Sequence, residues 1–344
     1  MNRPLACAIC LVAALVAPPL AAQTQHTGLV ELAVPDPTGD RQTQGFLWYP
    51  TDQIDGETLA HGNAVREAIR VVPDAPPVPG QHPLVVLSHG TFGNARNRAW
   101  LAEGLVARGF IVAAVDHPGT STLQRDAGQR RALWERPRDI SRTIDAVLHQ
   151  PDIGPLVDPA RIYMAGHSLG GFAAMVLAGG RFDKARLDEV CATGAAALVC
   201  GLFADWQVAR TDADRRAMQV DLSDPRIRAF AVFDLGGTPA LSRESLAAVA
   251  RPLLIYGAPR DIHGLDLDTE SRALVGAPPA PMVTCLEPPT LSHFDFLGLC
   301  TEGALAVLQE EEPDDVYVCT EGRAERKAEH DQIIGEVAAF LGTH

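Results

Sequence analysis

Ala165-Gly166-His167-Ser168-Leu169-Gly170-Gly171 follows the apolar run Arg161-Ile162-Tyr163-Met164 and leads into Phe172-Ala173-Ala174-Met175-Val176-Leu177-Ala178. Gly-x-Ser-x-Gly between a strand-like and a helix-like segment reads as a nucleophile elbow, a sharp turn that lifts a serine hydroxyl above a sheet. Chemistry explains the glycines. The serine needs a strained backbone dihedral, and hydrogen side chains at Gly166 and Gly170 leave room for the flanking segments to pass. In a chain with 30 glycines the pentapeptide alone could recur by chance; its setting gives it weight.

Outward from the elbow, short apolar runs alternate with amphipathic segments. Strands are expected at 28–34 and 45–50 as a hairpin-like pair, then at 83–88, 109–115, 161–165, 227–233, 252–256 and 282–286. Helices are expected at 95–108 and 136–149, after the elbow, and at 329–341. Such alternation means βαβ crossovers and a mostly parallel sheet with helices on both faces, and burial of both faces accounts for the near-continuous Val, Ile and Leu runs. The polar, proline-rich stretch 51–82 is expected to be surface loop. Residues 179–225 are polar and too long for a simple crossover. They read as an insertion after the nucleophile helix, over the sheet edge where ligands bind in open α/β folds.

Composition bounds the remaining choices. The 344 residues carry a net charge of −14, which argues against nucleic acid or an anionic membrane surface as partner. Residues 1–22 combine a short basic start, an apolar stretch and small residues ending at Ala21-Ala22, the pattern of a cleavable secretory signal. The remaining 23–344 are then one domain, secreted or periplasmic, and no later run is long enough for stable membrane insertion. Beyond that signal lie Cys191, Cys200, Cys285, Cys300 and Cys319. An oxidising destination makes disulfides the expected use; Cys191 with Cys200 and Cys300 with Cys319 are the natural pairs, leaving Cys285 free. No Cys or His falls at finger-type metal spacing.

A serine hydroxyl becomes a useful nucleophile only when a base takes its proton, and in this fold type the order along the chain is Ser, Asp or Glu, His. His263, His293, His330 and His344 lie downstream of Ser168. His293, just after the last expected strand, is placed to fold back over the serine. His330 falls on the closing helix and His344 is the terminus. Asp234 and Asp261 both follow strands between the serine and the histidine, so either could orient the base, whereas Asp266 and Asp268 read as solvated loop charges. Two backbone amides should receive the developing oxyanion: that of Leu169 at the start of the following helix, and that of Thr91 in His89-Gly90-Thr91-Phe92-Gly93-Asn94. Ser88 and His89 could mimic a catalytic pair but precede the elbow. Asp116-His117-Pro118-Gly119 reads as a structural turn, and Trp134-Glu135-Arg136-Pro137 as a helix entry.

As a set, Ser88-His89-Gly90-Thr91, Val115-Asp116-His117-Pro118-Gly119, Gly166-His167-Ser168-Leu169-Gly170-Gly171 and Ser292-His293-Phe294 resemble the α/β-hydrolase superfamily, from about Leu47 onward. Within it the chain is similar to predicted dienelactone hydrolase-like proteins and to platelet-activating-factor acetylhydrolase-like serine esterases. True dienelactone hydrolases use a cysteine nucleophile, so the serine here argues against that activity. The resemblance implies a Ser168–His293–Asp234 triad, with Asp261 the alternative acid. It implies cleavage of carboxylic esters, small or lipid-like, through an acyl-enzyme without a cofactor. A peptidase or amidase on the same scaffold, or a binding protein that kept the fold without catalysis, are the alternatives.

Overall fold

A computed structural model describes residues 25–39, 41–260, 265–320 and 322–344. The expected signal segment, Asp261 and His263 lie outside the described residues. The strands are β1 (His26–Val34), β2 (Thr43–Thr51), β3 (Thr58–Ala60), β4 (Ile69–Pro73), β5 (His82–Ser88), β6 (Ile111–Asp116), β7 (Val157–His167), β8 (Ile227–Phe233), β9 (Leu253–Tyr256) and β10 (Val283–Leu286). They form one sheet in the order β10-β9-β8-β7-β5-β6-β2-β1-β4-β3. From β6 through β5 and β7 to β10 every neighbouring pair is parallel, while β2 joins β6 and β1 antiparallel.

The pleat explains how one strand serves two cores. Successive side chains of a strand point to opposite faces, so Leu84 and Val86 of β5 enter one hydrophobic cluster and Val85 and Leu87 the other. On the first face lie the helices Glu135–Leu148, through Ile140, Ile144 and Val147, and Leu169–Leu177, buried along its whole length. On the second lie Ala99–Val106 and the closing helix Arg323–Gly342, which presents Ile333, Ile334, Val337 and Leu341. The expected helix 95–108 divides: Ala95–Arg98 is a single 3-10 turn, capped by Asn94, and the α-helix follows. No described helix is long and apolar enough to cross a membrane.

The stretch 51–82 is not all loop. It holds β3 and β4, which extend the sheet beyond β1. β4 pairs with β1 only at Gly28↔Val72 and Leu29↔Pro73. The edge strand β3 is three residues long and rests on backbone pairing, so its sequence conceals it; β4 buries Ile69, Val71 and Val72, a short apolar run set within a polar, proline-rich stretch. Residues 179–225 carry three helices, Lys184–Thr193, Ala197–Asp205 and Asp212–Gln219. The first two are joined by the Cys191–Cys200 disulfide; Cys300 pairs with Cys319, and Cys285 is free, as the spacing suggested.

Candidate active site

The strand β7 ends at His167 and the next helix begins at Leu169, leaving Ser168 between them at φ 52° and ψ −121°. This is a sparsely populated conformation for a residue with a Cβ. It is held by the Ser168 amide, which donates to the Phe233 carbonyl of β8 at 2.9 Å. The two motif glycines are steric necessities. A Cβ on Gly166 would stand 2.1 Å from the Gly170 carbonyl oxygen, and one on Gly170 would stand 2.2 Å from that of Ser88.

His293 opens a 3-10 turn after β10 and is buried. Its Nδ1 lies 2.6 Å from Oδ2 of Asp234, which follows β8. The other carboxylate oxygen, Oδ1, accepts from the Ala258 amide at 3.0 Å and from Ser271 Oγ at 3.4 Å. A carboxylate fixed this way keeps the proton on Nδ1 of the imidazole and leaves Nε2 with its lone pair. His167 Nε2 donates to the His293 carbonyl at 2.8 Å, tying the histidine's loop to the residue before the serine. The same loop is clamped from below: Asp295 Oδ2 accepts from the amide and hydroxyl of Ser292, Arg326 pairs with Oδ1 at 3.0 Å, and Arg98 and Trp100 both donate to the Phe296 carbonyl.

The other downstream candidates stand apart. His330 stacks on Trp100 with ring centroids 3.6 Å apart and donates to the Asp295 carbonyl; burial pushes its pKa down to about 3. His344 packs at the exposed chain end against Phe340. Asp266 accepts from the Thr269 amide at the surface, and Asp268 pairs with Arg272.

Leu169 is the first residue of its helix, so its amide has no carbonyl within the helix to serve. Gly90 brings the second loop against the serine: a Cβ there would lie 3.1 Å from Ser168 Cβ. His89 Nδ1 donates to the Gly90 carbonyl at 2.7 Å. Because the peptide is planar and trans, fixing that carbonyl also fixes the opposite direction of the Thr91 N–H. Beneath the loop lies an array that sequence reasoning did not assemble. Ser88 donates to His117 Nε2 at 2.9 Å and His117 Nδ1 donates to Asp139 Oδ2 at 2.9 Å, while Arg41 grips both oxygens of Asp139. Arg136 donates to Ser88 Oγ, Thr120 Oγ1 and the His89 carbonyl.

Ser88, His117 and Asp139 are 0% exposed, so this Ser–His–Asp array meets no substrate. Its role is to hold the loop. Burial, with the Arg136 charge, pushes His89 and His117 well below the ordinary histidine range, so both stay neutral. One signal was available: Arg136, Asp139, Ile140, Thr143, Ile144 and Val147 share the buried stripe of one helix, and charges on an apolar stripe must be paired.

Helices of 179–225 wall the site. The ring of Phe203 packs on Phe172 of the helix after the serine, and that of Trp206 on Phe92 of the Thr91 loop. The position a Cβ would take on Gly236 lies 4.0 Å from Ser168 Oγ, 3.8 Å from Val199 and 3.3 Å from Leu265, so the hydroxyl borders an apolar recess. Glu270 stabilises this corner, its Oε2 accepting from the amides of Gly237 and Thr238, each at 2.8 Å. Desolvation first, and the nearby Asp234 charge, push its pKa up to about 8.

A family model described as the alpha/beta hydrolase family matches residues 85–328. Over 101 residues, 29% of the chain, the sequence is 30% identical to Cutinase est1 and to Cutinase est2 of Thermobifida alba, covering 31% of each. It is 29% identical over the same length to Cutinase 2 of Thermobifida cellulosilytica, covering 35% of that protein. The chain thus matches about a third of the length of these curated relatives. Among solved structures, a ferulic acid esterase from Streptomyces cinnamoneus superposes with a TM-score of 0.62 at 22% identity, over 96% of this chain and 92% of that one. That likeness concerns the fold.

Proposed function

The chain belongs to the alpha/beta hydrolase family, and we propose that it is a secreted serine hydrolase of carboxylic esters. Ser168 Oγ attacks the ester carbonyl while His293 Nε2 takes its proton. Asp234 keeps the imidazole oriented and stabilises the imidazolium that forms. The amides of Leu169 and Thr91 receive the oxyanion. His293 then returns its proton to the departing alcohol, and water, activated by the same base, releases the acid from Ser168. The observation that carries this reading is the 2.6 Å contact between His293 Nδ1 and Asp234 Oδ2, on a loop that His167 ties to the strained elbow at Ser168. Relatives named cutinases and a structural neighbour named a ferulic acid esterase favour esters over amides. Two disulfides and the apolar segment within residues 1–22 support export.

The test is Ser168→Ala with a fluorophosphonate probe and short-chain aryl esters. Turnover and labelling should both vanish while the thermal transition stays in place. Undiminished turnover in that variant defeats the mechanism.

A further inference from the structure

Beside the Thr91 loop stands a cationic, aromatic rim in an acidic protein. Phe92 adopts φ 49°, a left-handed conformation unusual for a bulky residue, and is half-buried. The guanidinium of Arg125 lies 4.8 Å from its ring centroid, that of Arg130 4.9 Å, and Arg130 also reaches 5.7 Å from the ring of Trp206. Thr122 stitches this rim to the Thr91 loop, its amide donating to Gly93 at 2.9 Å and its hydroxyl to the Phe92 carbonyl. Leu123, next in the chain, is 61% exposed.

Neither arginine pairs with a carboxylate among the described residues. The adjacent Asp126 instead caps a turn by accepting from the Gln129 amide at 2.7 Å, and Asp214 pairs with Arg131. Arg130 is held in place by donating to the carbonyls of Gly119 and Arg125, and Arg125 is exposed. A net charge of −14 repels anions in general, so two guanidinia without a carboxylate partner among the described residues, facing one ring on the Thr91 loop, form a local exception. Phe92 is two residues from Gly90, at most ~7.6 Å of backbone, and a Cβ on Gly90 would stand 3.1 Å from Ser168 Cβ. An anionic group several bonds from an ester carbonyl can therefore reach the rim.

Resting on the serine-hydrolase reading above, we propose that Arg125 and Arg130 bind a carboxylate carried by the substrate, so that half-esters and other carboxylate-bearing esters are preferred over neutral ones of equal size. The planar guanidinium fork matches a carboxylate, and the exposed setting makes the preference sensitive to salt.

The experiment compares kcat/KM for matched pairs, one placing the carboxylate on the acyl side (4-nitrophenyl hemisuccinate against the butyrate) and one on the alcohol side (4-carboxyphenyl acetate against 4-methylphenyl acetate). Wild type should favour the anion in at least one pair by about five- to tenfold at low salt, and the ratio should shrink as salt rises. Arg125→Gln should lower it, Arg125→Glu lower it further, and Arg125→Lys retain most of it. The exposed Arg125 side chain makes these variants safe for folding; Arg130→Gln is the second arm.

Calorimetry on Ser168→Ala gives a readout free of turnover: monobenzyl succinate should bind more tightly than benzyl butyrate, and lose that advantage with Arg125→Gln added. Equal or weaker binding of the anion, a ratio near one in both pairs, or a preference untouched by every Arg125 and Arg130 change overturns the proposal. Ester turnover that persists in Ser168→Ala overturns the hydrolase reading instead, so the two failures are distinct.

Discussion

Asp234 and His293 lie 59 residues apart in the chain and 2.6 Å apart in space. The aspartate arrives at the end of β8 and its backbone takes φ 40°, while the histidine arrives on the turn after β10. Both are buried, and Ala258 and Ser271 hold the second carboxylate oxygen. The pair is therefore preorganised before any substrate enters.

Asp234→Asn keeps the shape and removes the charge, presenting an amide to an imidazole that needs an acceptor at Nδ1. Ester turnover should fall by about 10⁴-fold in kcat with little change in thermal stability. Activity within tenfold of wild type would show that another group orients His293.

Gly166→Ala forces a Cβ to within 2.1 Å of the Gly170 carbonyl. Both elements are backbone in the core of the elbow and have no side chain to move aside. The variant should lose about 3 kcal/mol or more, read as a lower urea midpoint or as failure to accumulate soluble protein. Gly335→Ala is the control, since the closing helix leaves open space at that position.

Asp139→Ala removes the acceptor shared by Arg41 and His117 and strands a buried guanidinium. The expected cost is about 3–5 kcal/mol, measured by denaturant unfolding. Because His117 positions Ser88, and Arg136 links Ser88 to the His89 carbonyl, kcat should fall in whatever fraction remains folded, with KM changed little.

Glu270 and the buried histidines give stability opposite slopes with pH. Folded Glu270 ionises near 8 against an ordinary 4.5, so between those values the unfolded chain holds fewer protons and stability falls as pH rises. His330 is depressed to about 3 from 6.5, so below 6.5 the unfolded chain holds more protons and stability falls as pH drops. From pH 6.5 to 8 the Glu270 slope acts without that opposition. The melting temperature should decline across this window in wild type, and Glu270→Gln should flatten the decline. A slope that the substitution leaves intact would assign the effect to other groups.

Much of the architecture was legible because parallel strands buried on both faces must be apolar throughout. The expected 227–233 coincides with β8, and 252–256 and 282–286 differ from β9 and β10 by one residue at their starts. The closing helix was legible only in part: it begins at Arg323, not 329, because its first turns, Arg323-Ala324-Glu325-Arg326-Lys327-Ala328, carry almost no apolar stripe. There Arg326 is buried by pairing with Asp295, a contact that no helical periodicity reports. β3 was hidden because three residues at a sheet edge rest on backbone pairing, while the buried Ile69, Val71 and Val72 of β4 form too short an apolar run to stand out from the polar sequence around it.

By itself, the sequence determined the elbow motif at Ser168, the run of sheet strands around it and the short choice of bases and acids, and it suggested the cysteine pairs that the structure forms. Each of these depends on local spacing, on apolar period or on compositional context, which a linear chain displays. Tertiary structure alone decided that Asp234 meets His293, that Ser88, His117 and Asp139 form a fully buried array, and that Arg125 and Arg130 converge on Phe92. Those contacts join residues 22 to 59 positions apart in the chain. Their distances depend on how strands order themselves in the sheet, and that order is a property of packing, not of any one stretch of residues.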